Sequence, residues 1–102
     1  MSKKKWQPTM NMKVRVERTR YPNGNLLSER CTINGLLNDL PGGTPAFRTW
    51  RPDGSSRAVF HYIEGKPGGA DPWYEAWDED GRRTRTGFLP DGFLFETIEQ
   101  KQ

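Results

Sequence analysis

His61 and Cys31 are the side chains of this chain best suited to acid–base or nucleophilic chemistry. A general base or a hydrolase triad needs partners placed around the histidine, and the chain has no Gly-x-Ser-x-Gly elbow. One Cys and one His are too few for a structural zinc site. We therefore expect His61 to be a sheet residue held by a neighbouring group, and Cys31 to be a buried, unreactive thiol.

An acidic run, Asp78-Glu79-Asp80, stands directly before Gly81. Three carboxylates could hold a hard cation, but neither the EF-hand spacing nor a later bidentate Glu is present. Phosphate-binding and dinucleotide-binding glycine motifs are also missing from the sequence. These patterns favour a solvated acidic turn, and they predict a protein that is not an enzyme and uses no metal and no cofactor.

The 102 residues fit one domain, with 32% apolar and 12% aromatic residues. So few aliphatic residues suit a sheet with one covered face, in which the aromatic rings supply much of the core. A lone cysteine excludes an intramolecular disulfide and fits a reducing compartment, so we expect a cytoplasmic protein. We expect residues 1–12 to form a flexible basic tail and residues 13–102 to form the domain.

The chain carries an internal repeat that ends in glycine turns. Turn sequences end at Gly24, Gly54 and Gly81, and another glycine follows eleven residues after each, at Gly35, Gly65 and Gly92. Asn-Gly and Asp-Gly supply the positive φ that a reversing turn needs. Pro-Gly-Gly segments begin at residues 41 and 67 and would pass the chain from one hairpin to the next.

The repeat predicts an all-β fold, an antiparallel sheet of about three repeated β-hairpins joined by Pro-Gly-Gly connectors. The segments flanking the turns are rich in β-branched and aromatic residues, as strands are. The predicted strands cover residues 13–21, 26–33, 46–51, 56–63, 73–78, 82–89 and 93–98. We expect no helix, and at most a short turn within residues 36–40.

The turn segments resemble the MORN-type repeat, in particular the bacterial variant of antitoxin-like proteins. Tyr21-Pro22-Asn23-Gly24-Asn25-Leu26-Leu27-Ser28-Glu29 carries the resemblance most closely, followed by Asn34-Gly35. Matching turns recur at 50–54 and 77–81, although the Pro-Gly-Gly insertions depart from the family pattern. The resemblance implies a run of antiparallel hairpins and a binding role, of which antitoxin-like neutralisation of a partner protein is one case.

The aromatic residues are the candidates for partner contact, because Trp and Tyr are favoured anchors of interfaces. We select Trp73, Tyr74, Trp77 and Trp50 as partner-binding residues. Adjacent strand residues point to opposite faces, so we expect Trp73 and Tyr74 to lie on different faces of the sheet. Most other aromatic rings are expected to form the core.

The charge distribution leaves a second possibility open. Residues 1–35 hold eight Lys or Arg and two Glu, whereas acids outnumber bases in residues 36–102. Lys13, Arg15, Arg18 and Arg20 could therefore bind nucleic acid. The acidic remainder would repel phosphate, which favours a module that engages and neutralises or inhibits a protein, as an antitoxin or a mobile-element inhibitor would.

The ends of such a sheet present strand edges, which invite pairing. Basic side chains on the first strand would oppose self-pairing there, whereas segment 93–98 is apolar with one charge. We therefore expect a homodimer that uses this C-terminal segment.

Overall fold

The computed structural model describes residues 12–89 and the backbone of a last strand, Phe93–Glu96. These residues form ten strands and no helix. In chain order the strands are β1 (Val14–Arg20), β2 (Leu26–Ile33), β3 (Leu36–Leu37), β4 (Phe47–Trp50), β5 (Ser56–Phe60), β6 (Tyr62–Ile63), β7 (Lys66–Pro67), β8 (Tyr74–Trp77), β9 (Arg83–Phe88) and β10 (Phe93–Glu96). The all-β prediction is confirmed.

Three of the sequence-based expectations fall outside the described residues. They are the basic tail expected over residues 1–12, of which the structure describes only Met12, then Gly92, which follows eleven residues after the turn glycine Gly81, and the side chains of segment 93–98 that the expected C-terminal dimer would use. These expectations stay predictions.

The main sheet is antiparallel throughout, in the order β1-β2-β4-β5-β8-β9-β10, with β3 paired to β2. A separate small hairpin pairs β6 with β7. Apart from this hairpin, all the described strands belong to the one sheet. Its strands therefore follow a hairpin order, and its two faces must be examined separately.

Three hairpin turns, β1–β2, β4–β5 and β8–β9, share one backbone pattern. In the first, Gly24 N–H donates to Tyr21 O at 2.9 Å, and Tyr21 N–H donates to Asn25 O at 2.8 Å. The same two bonds close the turns that start at residues 51 and 78. The glycines at 24, 54 and 81 have φ of +94°, +93° and +84°. A type I turn followed by a residue with positive φ gives this three-residue loop, which explains the glycine.

Each of these hairpins also carries one extra residue in its second strand. The register shifts between Thr19 and Arg20, between Thr49 and Trp50, and between Ala76 and Trp77. The residues left over opposite these shifts are Leu27, Arg57 and Thr84. Such bulges bend and twist the strand locally.

The segment after Gly35 differs from the prediction of at most a short turn. Asn34 and Gly35 have φ of +54° and +86°, which makes a two-residue hairpin turn and brings Leu36–Leu37 back against β2. Glu64 and Gly65 repeat this geometry between β6 and β7, with φ of +51° and +82°. Both short hairpins follow from consecutive residues of positive φ.

The predicted strand 56–63 is interrupted at His61. The His61 N–H donates to Trp73 O at 2.6 Å, and beyond it Tyr62 O accepts from Asp39 N–H at 2.7 Å. The chain therefore changes partners at this residue and leaves the main sheet.

The two Pro-Gly-Gly segments are not equivalent. Pro41 to Gly43 lie in a turn between β3 and β4, where Gly43 N–H donates to Leu40 O at 3.1 Å. Pro67, in contrast, already belongs to β7. The first segment is a tight turn, and the second begins inside a strand.

The core is small. The buried apolar residues of the described chain are Cys31, Ile33, Ala46, Ala58, Trp73 and Ala76. All seven residues of β1 are exposed. No helix of the described residues is long and apolar enough to cross a membrane. Most of the sheet thus presents side chains to solvent on one face or the other.

Candidate functional site

The strand register sorts side chains onto two faces of the sheet, because directly paired residues share a face. One row, which defines the aromatic face, runs Glu17, Arg30, Phe47, Phe60, Tyr74 and Gly87. The next row lies on the opposite side, the charged face, and runs Arg18, Glu29, Arg48, Val59, Glu75 and Thr86.

The aromatic face holds three rings in register on adjacent strands. The Phe47 and Phe60 centroids lie 5.5 Å apart, and Phe60 and Tyr74 stack at 4.6 Å with an interplanar angle of 22°. These separations suit favourable ring–ring contacts. All three residues are half-buried, so their outer surfaces remain in solvent. The row is a continuous aromatic strip across β4, β5 and β8.

Trp73 supports one end of this strip and is itself buried, with 8% of its surface exposed. Its ring centroid lies 5.6 Å from that of Tyr74 and 6.4 Å from that of Phe60. A Cβ on Gly87 would stand 2.7 Å from the Trp73 Nε1, so the glycine makes room for the indole. The Nε1 has no hydrogen-bond partner among the described residues.

The expectation that Trp73 and Tyr74 lie on opposite faces is wrong. Trp73 N–H donates to Gly87 O at 2.9 Å, and Tyr74 is paired with the same glycine. Two consecutive residues therefore oppose one, as in a β-bulge, and the local kink breaks the alternation of faces. Both rings contact Phe60 instead.

A charge cluster occupies the other face. Glu29 is 5% exposed, and its carboxylate accepts hydrogen bonds from Arg18 Nε at 2.9 Å and Arg48 Nη2 at 2.6 Å. Burial by itself would raise the pKa of Glu29, but the hydrogen bonds and charges of Arg48 and Arg18 outweigh it and hold the pKa below its usual value. The cluster ties three neighbouring strands together.

Trp50 and Trp77 lie on this charged face, both half-buried. The Arg48 guanidinium carbon is 5.2 Å from the centre of the Trp50 ring, within the range of a cation–π contact. The four selected aromatic residues are therefore split, with Trp73 and Tyr74 on the aromatic face and Trp50 and Trp77 on the charged face.

His61 and Asp39 form a close pair that serves the backbone. His61 Nδ1 lies 2.8 Å from Asp39 Oδ2, while Asp39 Oδ1 accepts from Ala46 N–H at 2.8 Å and from Tyr62 N–H at 3.2 Å. Both carboxylate oxygens are thus engaged in joining the connection before β4 to the segment after β5. A neighbouring group therefore holds His61, as the sequence predicts, but His61 lies between β5 and β6 and not within a strand of the sheet.

Cys31 is 0% exposed. Burial, followed by the negative charge of Glu29, raises the pKa of its thiol against the opposing effect of Arg48 and Arg18. Since the thiolate is the nucleophile, this environment suppresses its reactivity.

The acidic turn is closed by its own first residue. Asp78 Oδ1 accepts hydrogen bonds from Asp80 N–H at 2.9 Å and Arg82 N–H at 3.0 Å. Within the described ranges, no group of three or more His, Cys, Asp or Glu is arranged to hold a metal ion.

The basic residues of the nucleic-acid hypothesis do not form one patch. Alternation along β1 places Arg15 with Glu17 on the aromatic face and Arg18 on the charged face. Arg15 Nη2 lies 3.4 Å from Glu17 Oε2, and Arg18 is bonded to Glu29. Arg20 Nη1 donates to Gly24 O at 2.9 Å. Lys13 is exposed, with its backbone N–H bonded to Asn34 Oδ1.

No protein-family model, curated protein or solved structure matches the chain. The exposed chemistry of the two sheet faces is therefore the guide to function.

Phe47 and Phe60 are the members of the aromatic strip that the sequence-based selection missed. The sequence does contain the signal that pairs them. The two residues lie on either side of the Gly54 turn, and they fall opposite each other when Arg57 is treated as an extra, unpaired residue of the second strand. A strict two-residue alternation does not include that bulge, so it gives the wrong partner on one side of the turn.

Proposed function

We propose that this chain is a non-enzymatic binding module that engages a partner protein through its aromatic face and acts in the cytoplasm. The observation behind the proposal is the strip of Phe47, Phe60 and Tyr74, half-exposed and in register across three strands. Neutralisation or inhibition of the partner, as the resemblance to MORN-type antitoxin-like repeats implies, is the biological outcome that we propose for this contact.

The strip has the composition and setting of an interface centre. Aromatic residues are enriched at interface hot spots, and rigid rings lose little conformational entropy on binding. Trp73 fills the space beneath one end, against Gly87, and so holds Tyr74 and Phe60 in place before a partner arrives. The next row on the aromatic face contains the small, buried residues Ala58 and Ala76, so the rings are the prominent side chains of this face.

The remaining polar sites support a binding role rather than catalysis. The Asp39 carboxylate is saturated by backbone and histidine contacts, and Cys31 has no exposed surface. Neither group is presented to a substrate. On the charged face, Arg18 and Arg48 are already paired with Glu29. The aromatic face is therefore the better surface for a partner.

Nucleic-acid binding by Lys13, Arg15, Arg18 and Arg20 is the competing function, and the geometry favours it less. Two of the guanidinium groups already face carboxylates, and alternation divides the set between the two faces. A patch that neutralises consecutive phosphates needs its cations along one path.

The test compares the two faces with matched truncations. Tagged full-length wild type, Tyr74→Ala and Trp77→Ala would each be used to capture proteins from the native host, after thermal unfolding has shown that both variants remain folded. The two aromatic residues lie in the same strand on opposite faces, so each is the control for the other. We expect a defined partner to be retained by Trp77→Ala and to be lost, by about tenfold or more, with Tyr74→Ala.

Loss with Trp77→Ala alone would move the interface to the charged face and overturn the proposal. In parallel, binding of labelled single- and double-stranded oligonucleotides would be measured over a salt series. Tight binding with a steep salt slope, abolished by neutralising Arg18 and Arg20, would establish the nucleic-acid function instead.

A further inference from the structure

The outer edge of β1 is a row of backbone groups that no described strand pairs with. β1 is the first strand in the sheet order, and all seven of its residues are exposed. Val14 and Val16 are 41% and 38% exposed. A long, regular edge of this kind is a template for a further strand.

The hydrogen-bonding direction along this edge follows from two contacts. Asn34 N–H donates to Lys13 O at 2.8 Å, so the backbone N–H and C=O of Lys13 point toward β2. Backbone groups alternate in direction along a strand, so those of Val14, Val16 and Arg18 point to the free edge. On the other side of β2, Cys31 N–H donates to Ala46 O at 2.8 Å. Cys31 is the partner of Val16, so this bond independently places the N–H and C=O of Val16 at the free edge.

We propose that the occupant of this edge is the β1 strand of a second copy, paired antiparallel with Val16 opposite Val16. In that register Arg15 lies opposite Glu17 of the second copy, and Glu17 lies opposite its Arg15. Arg18 meets Val14, and Lys13 meets Thr19, so no like charges face each other. The net positive charge of β1 would by itself make two copies of the strand repel each other. In this register, however, Arg15 and Glu17 of the two copies form two opposite-charge pairs.

The charged pairs also occupy the closest positions of the ladder. Residues whose backbone groups point to the free edge exchange hydrogen bonds across the new interface. Val14 pairs with Arg18 of the second copy, and Val16 pairs with Val16 of the second copy. Arg15 and Glu17 therefore fall at non-hydrogen-bonded pairs, where side chains approach most closely.

Charge favours this register over its neighbours. Sliding the second strand by two residues, the smallest shift that keeps the hydrogen bonds, brings either Arg15 opposite Arg15 or Glu17 opposite Glu17. The first of these shifts also pairs Glu17 with Lys13, so it keeps two opposite-charge pairs but adds a like-charge pair that the proposed register avoids. A wholly acidic foreign strand would place a carboxylate near Glu17 in any register. The edge is thus self-complementary, as a two-fold symmetric interface requires.

The symmetry has a structural consequence. A two-fold axis perpendicular to the sheet leaves each face on its own side, so the aromatic faces of both copies would point the same way. The dimer does not depend on the proposed protein-binding function, and either could hold without the other.

The experiment uses charge reversal and its rescue in the full chain. Sedimentation over micromolar to millimolar concentrations would compare wild type, Arg15→Glu, Glu17→Arg and the double exchange. We expect wild type to dimerise, each single reversal to weaken association by about tenfold or more, and the double exchange to restore it. Each single change acts twice because of the symmetry.

Hydrogen exchange supplies a second measurement that does not rely on a substitution. The amides of Val14, Val16 and Arg18 are expected to become protected as concentration rises, while those of Arg15 and Glu17 do not change. A wild type that stays monomeric, or single reversals that dimerise as well as wild type, would overturn the proposal. Dissociation by Phe95→Lys with no effect of Arg15→Glu would assign the dimer to the C-terminal segment.

Discussion

The Tyr21 hydroxyl donates a hydrogen bond of 2.7 Å to the backbone carbonyl of Trp50, which links the first hairpin turn to the second. One hairpin further on, Arg51 Nη2 donates to Trp77 O at 2.7 Å. The residue at the start of each of the first two turns therefore holds the strand end of the next hairpin. These bonds tie neighbouring hairpins together at the turn end of the sheet.

Replacing Tyr21 with Phe removes this link and leaves the Trp50 carbonyl without its donor. We expect the free energy of unfolding to fall by about 1 kcal/mol. Urea denaturation would measure it, with Tyr74→Phe as the control, because no hydrogen bond of the Tyr74 hydroxyl is found among the described residues. Equal losses in the two variants would show that the Tyr21 bond contributes nothing specific.

Gly54 is required by the conformation of its turn and not by lack of space. Its φ is +93°, and an added Cβ would meet nothing within 4 Å. Gly54→Val should therefore cost about 1–2 kcal/mol from backbone strain alone. The neighbouring exposed substitution Ser55→Val should stay within about 0.5 kcal/mol of wild type in the same denaturation assay. A Gly54→Val protein as stable as Ser55→Val would contradict the turn assignment.

Glu29 should make stability depend on pH. Its pKa is lowered in the folded state, so the ionised carboxylate stabilises the fold above the unfolded-state pKa, and that contribution is lost as pH falls through the folded-state pKa. We expect the free energy of unfolding to decline below about pH 4, and to decline less in Glu29→Gln. At neutral pH this variant should lose about 1–3 kcal/mol, because the amide oxygen of Gln can accept from only one of the two guanidinium groups, while the other then faces an amide NH2 and both lose the carboxylate charge.

The control for this pH experiment is Glu79→Gln, at an exposed position in the third turn. Its free energy of unfolding should stay within about 0.5 kcal/mol of the wild-type value at every pH. If Glu29→Gln kept the full pH dependence of wild type, the decline would have to come from other carboxylates.

Cys31 should resist thiol reagents for as long as the sheet is intact. It has no exposed surface, and its raised pKa keeps it protonated at neutral pH. With a chromogenic disulfide reagent, we expect labelling of native protein to be about a hundredfold slower than labelling in guanidinium chloride. Rapid labelling of the native protein at full stoichiometry would show that β2 opens readily.

The sequence by itself determined the turns and most strand positions. Positive φ demands glycine at short reversals, so the spacing of Gly24, Gly54 and Gly81 is enough to place the three hairpins. β2 occupies the predicted range 26–33, and the other long strands differ from their predictions by only a few residues at the ends. Local backbone chemistry suffices here because a turn and its flanking strands are adjacent in the chain.

The tertiary structure decided which side chains meet. Each of the three hairpins contains an extra residue, such as Arg57, and a further bulge lies at Trp73 and Tyr74. Such an irregularity changes the face on which the following residues of the strand lie, and a two-residue period in the sequence does not reveal where it occurs. The pairing of β2 with β4 likewise brings Arg48 to Glu29 across an intervening connection, which no local pattern specifies. Side-chain partners across a sheet depend on register, and register is fixed only when all the strands are assembled.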